Sequence, residues 1–166
     1  LISLLTNPAF GHDRVSKPPE EDGRKITFPD AAQYKTLVFD PHTHSAFSDG
    51  HVWPRIRVEE ALRDGLDAFA VTEHLEYQPH LDDIPHPDRN RSYLDASNAA
   101  MDSSLFVIPG AEITRDAPAS HMNAIFISDA NKLYHVEGPY DAKNYRGKAK
   151  EWPAQNAVAA ANEQGA

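Results

Sequence analysis

Short apolar runs alternate along this chain with segments whose apolar residues recur at helical spacing. The runs have the length and composition of buried strands, and they occupy residues 35–40, 68–72, 105–108 and 124–127. Helical spacing follows the first run and returns at residues 92–101 and 153–165. Strands that alternate with helices form parallel β/α units, so the pattern predicts an α/β fold. In such folds the functional side chains gather at the carboxyl ends of the strands.

Several residues predict where these elements begin and end. The first run is a short stretch with consecutive apolar residues at its centre, which fits a strand that is covered on both faces. Gly65 followed by Leu66 is typical of a helix end, and Pro153 suits the first position of the last helix. The third strand is expected to end at Pro109-Gly110. Residues 129–152 show no clear period and are predicted to form a loop.

The chain divides into a polar N-terminal segment and a predicted domain. Residues 11–34 are polar and show no sustained periodicity, so we interpret residues 1–34 as a tail or arm and residues 35–166 as the domain. The last helix ends near Gly165, where a β/α progression normally continues with another strand. We therefore expect the domain to be the front part of a longer, barrel-like protein.

The first five residues are apolar and match the trailing edge of a signal-peptide core, with residues 8–11 near a cleavage region. That interpretation predicts a periplasmic or secreted protein. The alternative is a chain trimmed at an arbitrary place, which leaves a cytoplasmic location open.

Composition excludes several classes of protein. The chain has 166 residues and a formal net charge of −9, which argues against an extended nucleic-acid interface. No run approaches the roughly 20 apolar residues that span a bilayer. The absence of cysteine excludes disulfides and thiolate metal sites. A small phosphorylated substrate stays compatible with this charge, because bound divalent metals would reverse the local sign.

Candidate metal ligands follow each of the first three predicted strands, and another precedes the fourth. These residues are His42, His44, Asp49, His74, Glu112 and His121. His42 and His44 are two apart, so in a strand they point to the same side. A turn would return the Asp49 carboxylate to the same place. Imidazole and carboxylate groups together suit zinc, manganese or iron, so the sequence predicts a transition-metal site.

The same residues carry a resemblance to the polymerase and histidinol phosphatase (PHP) superfamily. Its four motifs are matched by Asp40-Pro41-His42-Thr43-His44-Ser45 with Ser48-Asp49-Gly50, by Ala70-Val71-Thr72-Glu73-His74, by Gly110-Ala111-Glu112, and by His121. The resemblance covers about residues 35–127. Glu73 departs from the aspartate that is common before the second-motif histidine. Neighbouring strand residues face opposite ways, so this change is expected to affect a supporting group and not His74 itself.

The resemblance implies a distorted barrel of seven β/α units with two or three divalent metals. His42, His44 and Glu112 would hold the first metal. Glu112 would bridge to a second metal bound by His121, and Asp49 with His74 would hold a third. The family completes these sites with a further histidine and a late Asp-x-His pair. Nothing after His121 matches them in this sequence, and we expect them beyond residue 166.

Metals at such a site imply hydrolysis of a phosphomonoester or a small phosphodiester. A carboxylate that bridges two metals sets them close enough to share a hydroxide, which can attack phosphorus in line. Arginines would add a clamp for the substrate. Arg115 is the first choice because it lies three residues after Glu112, and Arg89 and Arg91 lie in the long loop after the second strand.

Two alternatives stay open. One is a metal-binding module that is catalytically inactive or incomplete. The other is a metallohydrolase of the amidohydrolase type, which also begins with His-x-His on a barrel strand. Glu112 and Asp49 favour the phosphoesterase, because the amidohydrolase group more often uses a modified lysine as its bridge. An oligomer is also possible, since an unsealed sheet edge promotes association.

Overall fold

A computed structural model of the chain describes residues 25–135 and 152–166. The described residues contain four strands, three α-helices and one short 3-10 helix. In chain order they are β1 (Phe39–Thr43), α1 (Pro54–Arg63), β2 (Ala68–Val71), α2 (Arg91–Ala99), β3 (Phe106–Thr114), β4 (His121–Ile125), the 3-10 helix (Ala130–Leu133) and α3 (Ala154–Asn162). No helix among the described residues is long and apolar enough to cross a membrane.

The strands form one curled sheet in the order β1-β2-β3-β4. β1 and β3 both pair with β2 in parallel, and the sheet closes half of a barrel. This architecture confirms the prediction of an α/β fold that corresponds to the front part of a (β/α) barrel.

The central strand β2 is buried on both faces. Phe69 and Val71 pack with Val58 of α1 and Ala96 of α2 in a group that we call the outer cluster. Ala70 packs on the other face of the sheet. Burying one large apolar side chain contributes roughly 1.5–3 kcal/mol to folding, so the outer cluster fixes both helices on the sheet.

The glycine predicted to end α1 does so. Gly65 has a φ of 74°, and its N–H donates to the Leu62 carbonyl at 3.2 Å. The N–H of Leu66 donates to the Ala61 carbonyl at 3.0 Å, which completes a Schellman motif. Leu66 also packs against the outer cluster, so the chain turns directly into β2.

The first strand differs from the prediction in its position and its burial. β1 begins at Phe39, and the segment 35–38 before it is irregular. Leu37 is 57% exposed and Phe39 is 37% exposed, so the strand is not covered on both faces. The reason is its place at the edge of the described sheet, where it has β2 as its one neighbour.

The third strand continues past the Pro109-Gly110 pair at which it was expected to end. Through Pro109 it pairs with β2, and from Gly110 onward it pairs with β4. Pro109 lacks an N–H, but its carbonyl accepts a hydrogen bond from the Phe126 N–H at 2.8 Å. The proline therefore lies where the regular pairing of β3 with β2 ends and its pairing with β4 begins.

The fourth strand corrects the expectation of a sheet built from parallel strands. β4 runs antiparallel to β3, and it begins at His121 instead of residue 124. Residues 115–120 join the two strands, and a parallel crossover needs a dozen or more residues. The short connection therefore forces the chain to reverse.

The remaining expectations fall partly outside the described residues. Pro153 lies just before α3, and Gly165, with a φ of 93°, follows its end as predicted. The predicted loop contains the 3-10 helix, while residues 136–151 lie outside the described part. Residues 25–34 are largely exposed and irregular. The proposed signal-peptide remnant lies in residues 1–24, which the structure does not describe.

Candidate metal centre

The first two candidate ligands meet at the end of β1. His42 lies within the strand and His44 follows it, and their Nε2 atoms are 2.7 Å apart. The pairing of β1 with β2 is irregular between Asp40 and Thr43, and such irregularities re-aim side chains. The two imidazoles thus converge on one point, as their spacing predicted.

A tight turn over residues 45–50 brings Asp49 back to this point. The N–H groups of Ser48 and Gly50 both donate to the Ser45 carbonyl, at 3.0 and 2.9 Å. A Cβ on Gly50 would lie 2.7 Å from the His44 carbonyl carbon and oxygen, so the turn needs glycine there. Asp49 then reaches two histidines, with its carboxylate 3.5 Å from His44 Nδ1 and 3.3 Å from His74 Nε2.

Backbone pairing places His74 beside Glu112. The N–H of Glu112 donates to the Glu73 carbonyl at 2.9 Å, and the N–H of Leu75 donates to the Glu112 carbonyl at 3.0 Å. These bonds continue the β2–β3 alignment beyond β2, which brings the two side chains to the same edge.

The reversal of β4 accounts for His121. It pairs with Thr114, the last residue of β3. Because β4 is antiparallel, its first residue lies at the edge where the parallel strands end. A parallel β4 would have placed His121 at the opposite edge of the sheet.

Glu112 lies at the centre of the candidate ligands. Its side chain is 1% exposed. One carboxylate oxygen, Oε2, lies 2.7 Å from His42 Nε2 and 3.2 Å from His44 Nε2. The other oxygen, Oε1, lies 3.1 Å from His74 Nδ1 and also contacts His121 Nδ1. We call Glu112, these four histidines and Asp49 the histidine–carboxylate cluster.

The cluster shifts the pKa values of its central groups. Burial by itself raises the pKa of Glu112, but the surrounding imidazoles, including those of His44 and His74, outweigh burial and hold this pKa well below its usual range. Burial lowers the pKa of His74, but the carboxylates of Glu112 and Asp49 outweigh it, and the net shift is upward. Glu112 therefore carries a negative charge among groups that can supply nitrogen ligands.

The donor atoms fit a divalent metal. Three overlapping triads bring their ligand atoms within 4.8 Å of one another, and they are His42–His44–Glu112, His44–Asp49–His74 and His74–Glu112–His121. Glu112 Oε1 is buried and receives no hydrogen bond of acceptable geometry, although imidazole nitrogens lie close to it. An unsatisfied buried carboxylate oxygen is costly unless a cation binds it. Nitrogen and oxygen donors in this combination suit zinc, manganese or iron.

Glu73 has the supporting position that its place beside His74 predicted. Its carboxylate is 6% exposed and accepts hydrogen bonds from the Ser45 N–H at 3.0 Å and from the Ser45 and Ser48 hydroxyls. Glu73 thus fastens the turn that carries Asp49 to the end of β2.

Two of the three arginines expected to clamp a substrate are buried elsewhere. The Arg115 guanidinium is paired with Glu76 and donates to the Trp152 carbonyl at 3.0 Å. Its side chain is 7% exposed, so it does not lie at the mouth of a pocket, where it was expected from the sequence. Arg89 is buried too, and it donates to Gln78 and to the His86 carbonyl.

Arg91 is exposed, and its guanidinium carbon lies 5.1 Å from the centre of the Phe47 ring. Phe47 belongs to the turn that carries Asp49. Of the three arginines, Arg91 is therefore the one that the structure leaves open to solvent beside that turn.

Sequence reasoning missed two hydroxyl groups that contact the cluster. Ser48 Oγ lies 3.2 Å from His44 Nδ1, and Thr114 Oγ1 lies 2.6 Å from His74 Nδ1. Thr114 is two residues after Glu112 in one strand, and that spacing alone places both side chains on one face. Ser48 had no comparable signal, because its contact depends on the fold of the turn.

Comparison with solved structures identifies related proteins. A two-domain protein from Bacteroides vulgatus, described as containing a predicted PHP-like metal-dependent phosphoesterase, matches with 42% identity and a TM-score of 0.71. The match covers 86% of this chain and 37% of that protein, so the chain spans little more than a third of its length.

A candidate metal-dependent phosphoesterase from Bifidobacterium adolescentis also aligns, with 21% identity and a TM-score of 0.44, over 78% of this chain and 52% of that one. No protein-family model and no curated protein matches the sequence. With the Bacteroides similarity beside the motifs and the half-barrel, the chain belongs to the polymerase and histidinol phosphatase superfamily.

Proposed function

We propose that this chain carries metal ligands of a phosphoesterase that hydrolyses a phosphomonoester or a small phosphodiester. The observation that supports this proposal most strongly is the position of Glu112. Imidazole nitrogens contact both oxygens of this buried carboxylate, so it is placed to bridge two divalent ions. The similarity to a protein described as containing a PHP-like phosphoesterase points to the same chemistry.

The six cluster residues would hold the ions, as zinc, manganese or iron. His42, His44 and Glu112 form the triad with the shortest contacts. Glu112 and His121 would hold a second ion, and Asp49 with His74 a third. The negative charge of two carboxylates, with neutral imidazoles, is smaller than the positive charge of two or three divalent ions. The occupied site would therefore attract a phosphate group despite the net charge of −9.

When bound, the metals supply a nucleophile from water near neutral pH and neutralise charge on the phosphoryl oxygens. The protein holds the imidazoles and carboxylates in place from β1, β2, β3 and β4, and such prior ordering lowers the cost of organising charge during the reaction. Arg91 is our candidate for a contact to the substrate, since it is exposed beside the Asp49 turn.

The test separates metal binding from hydrolysis. The purified chain is stripped of metal, incubated with zinc, manganese or iron, and assayed for bound metal by elemental analysis and for hydrolysis of an aryl phosphate. We expect stoichiometric metal binding by this chain, and hydrolysis that depends on the bound metal in a chain that also carries the late Asp-x-His ligands. Failure to bind any of the three metals would overturn the proposed centre, whereas tight binding without hydrolysis in that longer chain would favour a metal-binding module that does not turn over.

Replacing one ligand tests the site directly. We expect His42→Ala to reduce bound metal because it removes one nitrogen from the tightest triad, while the unfolding temperature of the metal-free chain changes little. The matched control is His135→Ala, since His135 is exposed and lies outside the cluster. Equal metal content in the two variants would contradict the ligand role of His42.

A further inference from the structure

The turn that carries Asp49 also contributes a serine hydroxyl that contacts His44. Ser48 is fully buried, and its Oγ contacts the Glu73 carboxylate on one side and His44 Nδ1, at 3.2 Å, on the other. The three side chains thus form a continuous line from the end of β2 to the cluster.

The donors and acceptors along this line have one consistent assignment. A carboxylate only accepts hydrogen bonds, so the Ser48 hydroxyl must give its single proton to Glu73. The Ser48 oxygen is then an acceptor toward His44. His44 Nδ1 must therefore carry the proton in this contact, and a neutral imidazole with a proton on Nδ1 has a lone pair on Nε2.

We propose that Glu73 is a positioning residue that acts through Ser48 to fix the tautomer of His44. With Nδ1 protonated, the bare Nε2 faces His42 Nε2 at 2.7 Å and Glu112 Oε2 at 3.2 Å. The position of the lone pair on Nε2 selects the triad His42–His44–Glu112 over the triad His44–Asp49–His74. The histidine serves the ion shared with His42 and Glu112, and its Nδ1 is not available to an ion at Asp49.

Other contacts of Glu73 explain why it can hold this role. Its two oxygens also accept from the Ser45 N–H, each at 3.0 Å, and from the Ser45 hydroxyl. These bonds fix the carboxylate independently of Ser48. Partners behind metal-ligating histidines commonly orient the ring and set which nitrogen binds.

The variant Glu73→Gln tests the direction of the hydrogen bonds between Glu73, Ser48 and His44. A glutamine can still accept from Ser45 through its oxygen, but its amide nitrogen can donate to Ser48. The Ser48 proton is then free to point to His44 Nδ1, which would favour the opposite tautomer. The nitrogen-15 chemical shifts of the His44 ring, measured on the metal-free chain, distinguish a protonated from an unprotonated nitrogen. We expect a protonated Nδ1 in the original chain and a protonated Nε2 in Glu73→Gln.

Metal affinity provides the second measurement. We expect Glu73→Gln to weaken zinc binding about 10- to 100-fold in calorimetric titration, in line with the loss of other orienting partners. Glu163→Gln, on the exposed end of α3, is the matched control and should bind zinc like the original chain. A bare Nδ1 in the original chain, or an unchanged tautomer in Glu73→Gln, would overturn the proposal.

A second variant covers the case in which Glu73→Gln does not fold. Ser48→Ala leaves the Glu73–Ser45 bonds in place and removes the hydroxyl that contacts both Glu73 and His44. We expect the nitrogen-15 shifts of its His44 ring to indicate a mixture of tautomers. A single tautomer, populated as fully as in the original chain, would contradict the inference. The proposal rests on the proposed metal centre but not on hydrolysis. The metal-free tautomer can therefore be right even if the chain hydrolyses no phosphate ester.

Discussion

At the scale of the residue, a single carboxylate organises the candidate site. The sequence proposed six candidate ligands because their residue types lie at predicted strand ends or in the turn after the first strand, and the structure brings these residues together. The partner of Arg115 was not predictable, because Glu76 lies far along the chain and meets Arg115 only in the folded sheet. The role of Ser48 likewise depends on a turn and not on a sequence period.

Glu112→Gln tests the central carboxylate. The change keeps the shape but removes the charge, so we expect metal binding to fall by more than the 10- to 100-fold typical of supporting residues. The metal-free chain should also lose about 1.5–3 kcal/mol of unfolding free energy, because buried hydrogen bonds to a charged group are lost. Calorimetry and urea unfolding measure the two effects, and intact zinc binding by the variant would contradict a bridging role.

His86 predicts a dependence of stability on pH. Burial lowers the pKa of this histidine from 6.5, more than its bond to the Ile84 carbonyl raises it. Between the lowered pKa and 6.5, the unfolded chain binds a proton that the folded chain does not. This group therefore makes the unfolding free energy fall as pH drops below 6.5, by at most ~1.4 kcal/mol per pH unit.

His86→Phe should flatten that dependence, because phenylalanine does not titrate and can still pack against Phe47. Urea unfolding of the metal-free chain at a series of pH values measures the slope. An equally steep slope in the variant would show that other groups cause the loss of stability in acid.

At the scale of the element, β3 begins to pair with β4 in the middle of its length. The sequence predicted the existence and order of the strands, since apolar runs and glycine-ended helices are local signals. It did not predict that β3 continues through Pro109, because a proline normally ends a strand. The reversed direction of β4 follows from the six residues between the two strands, a length that parallel pairing cannot use.

Gly110→Ala tests the point in β3 at which the pairing with β4 begins. An added Cβ would lie 2.9 Å from the Ala124 carbonyl oxygen and 3.1 Å from that of Val71, and these backbone atoms cannot move cheaply. We expect a loss of about 1–3 kcal/mol in unfolding free energy. Zinc affinity should fall as well, because Glu112 lies two residues farther along the same strand.

The matched control for this change is Gly165→Ala. No atom lies within 4 Å of the added Cβ there, although the φ of 93° makes any side chain unfavourable. We expect it to lower stability without changing zinc affinity. Urea unfolding and calorimetry compare the two variants. Equal zinc affinities would show that the distortion of β3 does not affect zinc binding.

At the scale of the whole molecule, the inner face of the half-barrel has two zones. The histidine–carboxylate cluster occupies the end of the sheet where the parallel strands finish. At the other end, Phe39 and Phe106 flank Ala68 in register on the same face, and Phe106 is 61% exposed. The apolar runs predicted strands, but how much of each strand is covered depends on neighbours that a run of residues does not reveal.

Phe106→Ser tests whether the apolar zone drives association. Exposed apolar patches commonly mediate contacts between molecules, so we expect the original chain to self-associate as its concentration rises and the variant to do so less. Met101→Ser is the matched control, since Met101 is 73% exposed and follows α2. Sedimentation velocity compares the three proteins, and equal association in both variants would exclude this face.

The four strands of the described residues lie side by side in the order in which they occur in the chain. During synthesis on the ribosome, each new strand therefore meets a partner that has already been made, and none has to be inserted between earlier ones. The six candidate ligands all lie between residues 42 and 121. We expect the nascent chain to gather them once residue 121 has left the exit tunnel, so that metal can be captured while translation continues.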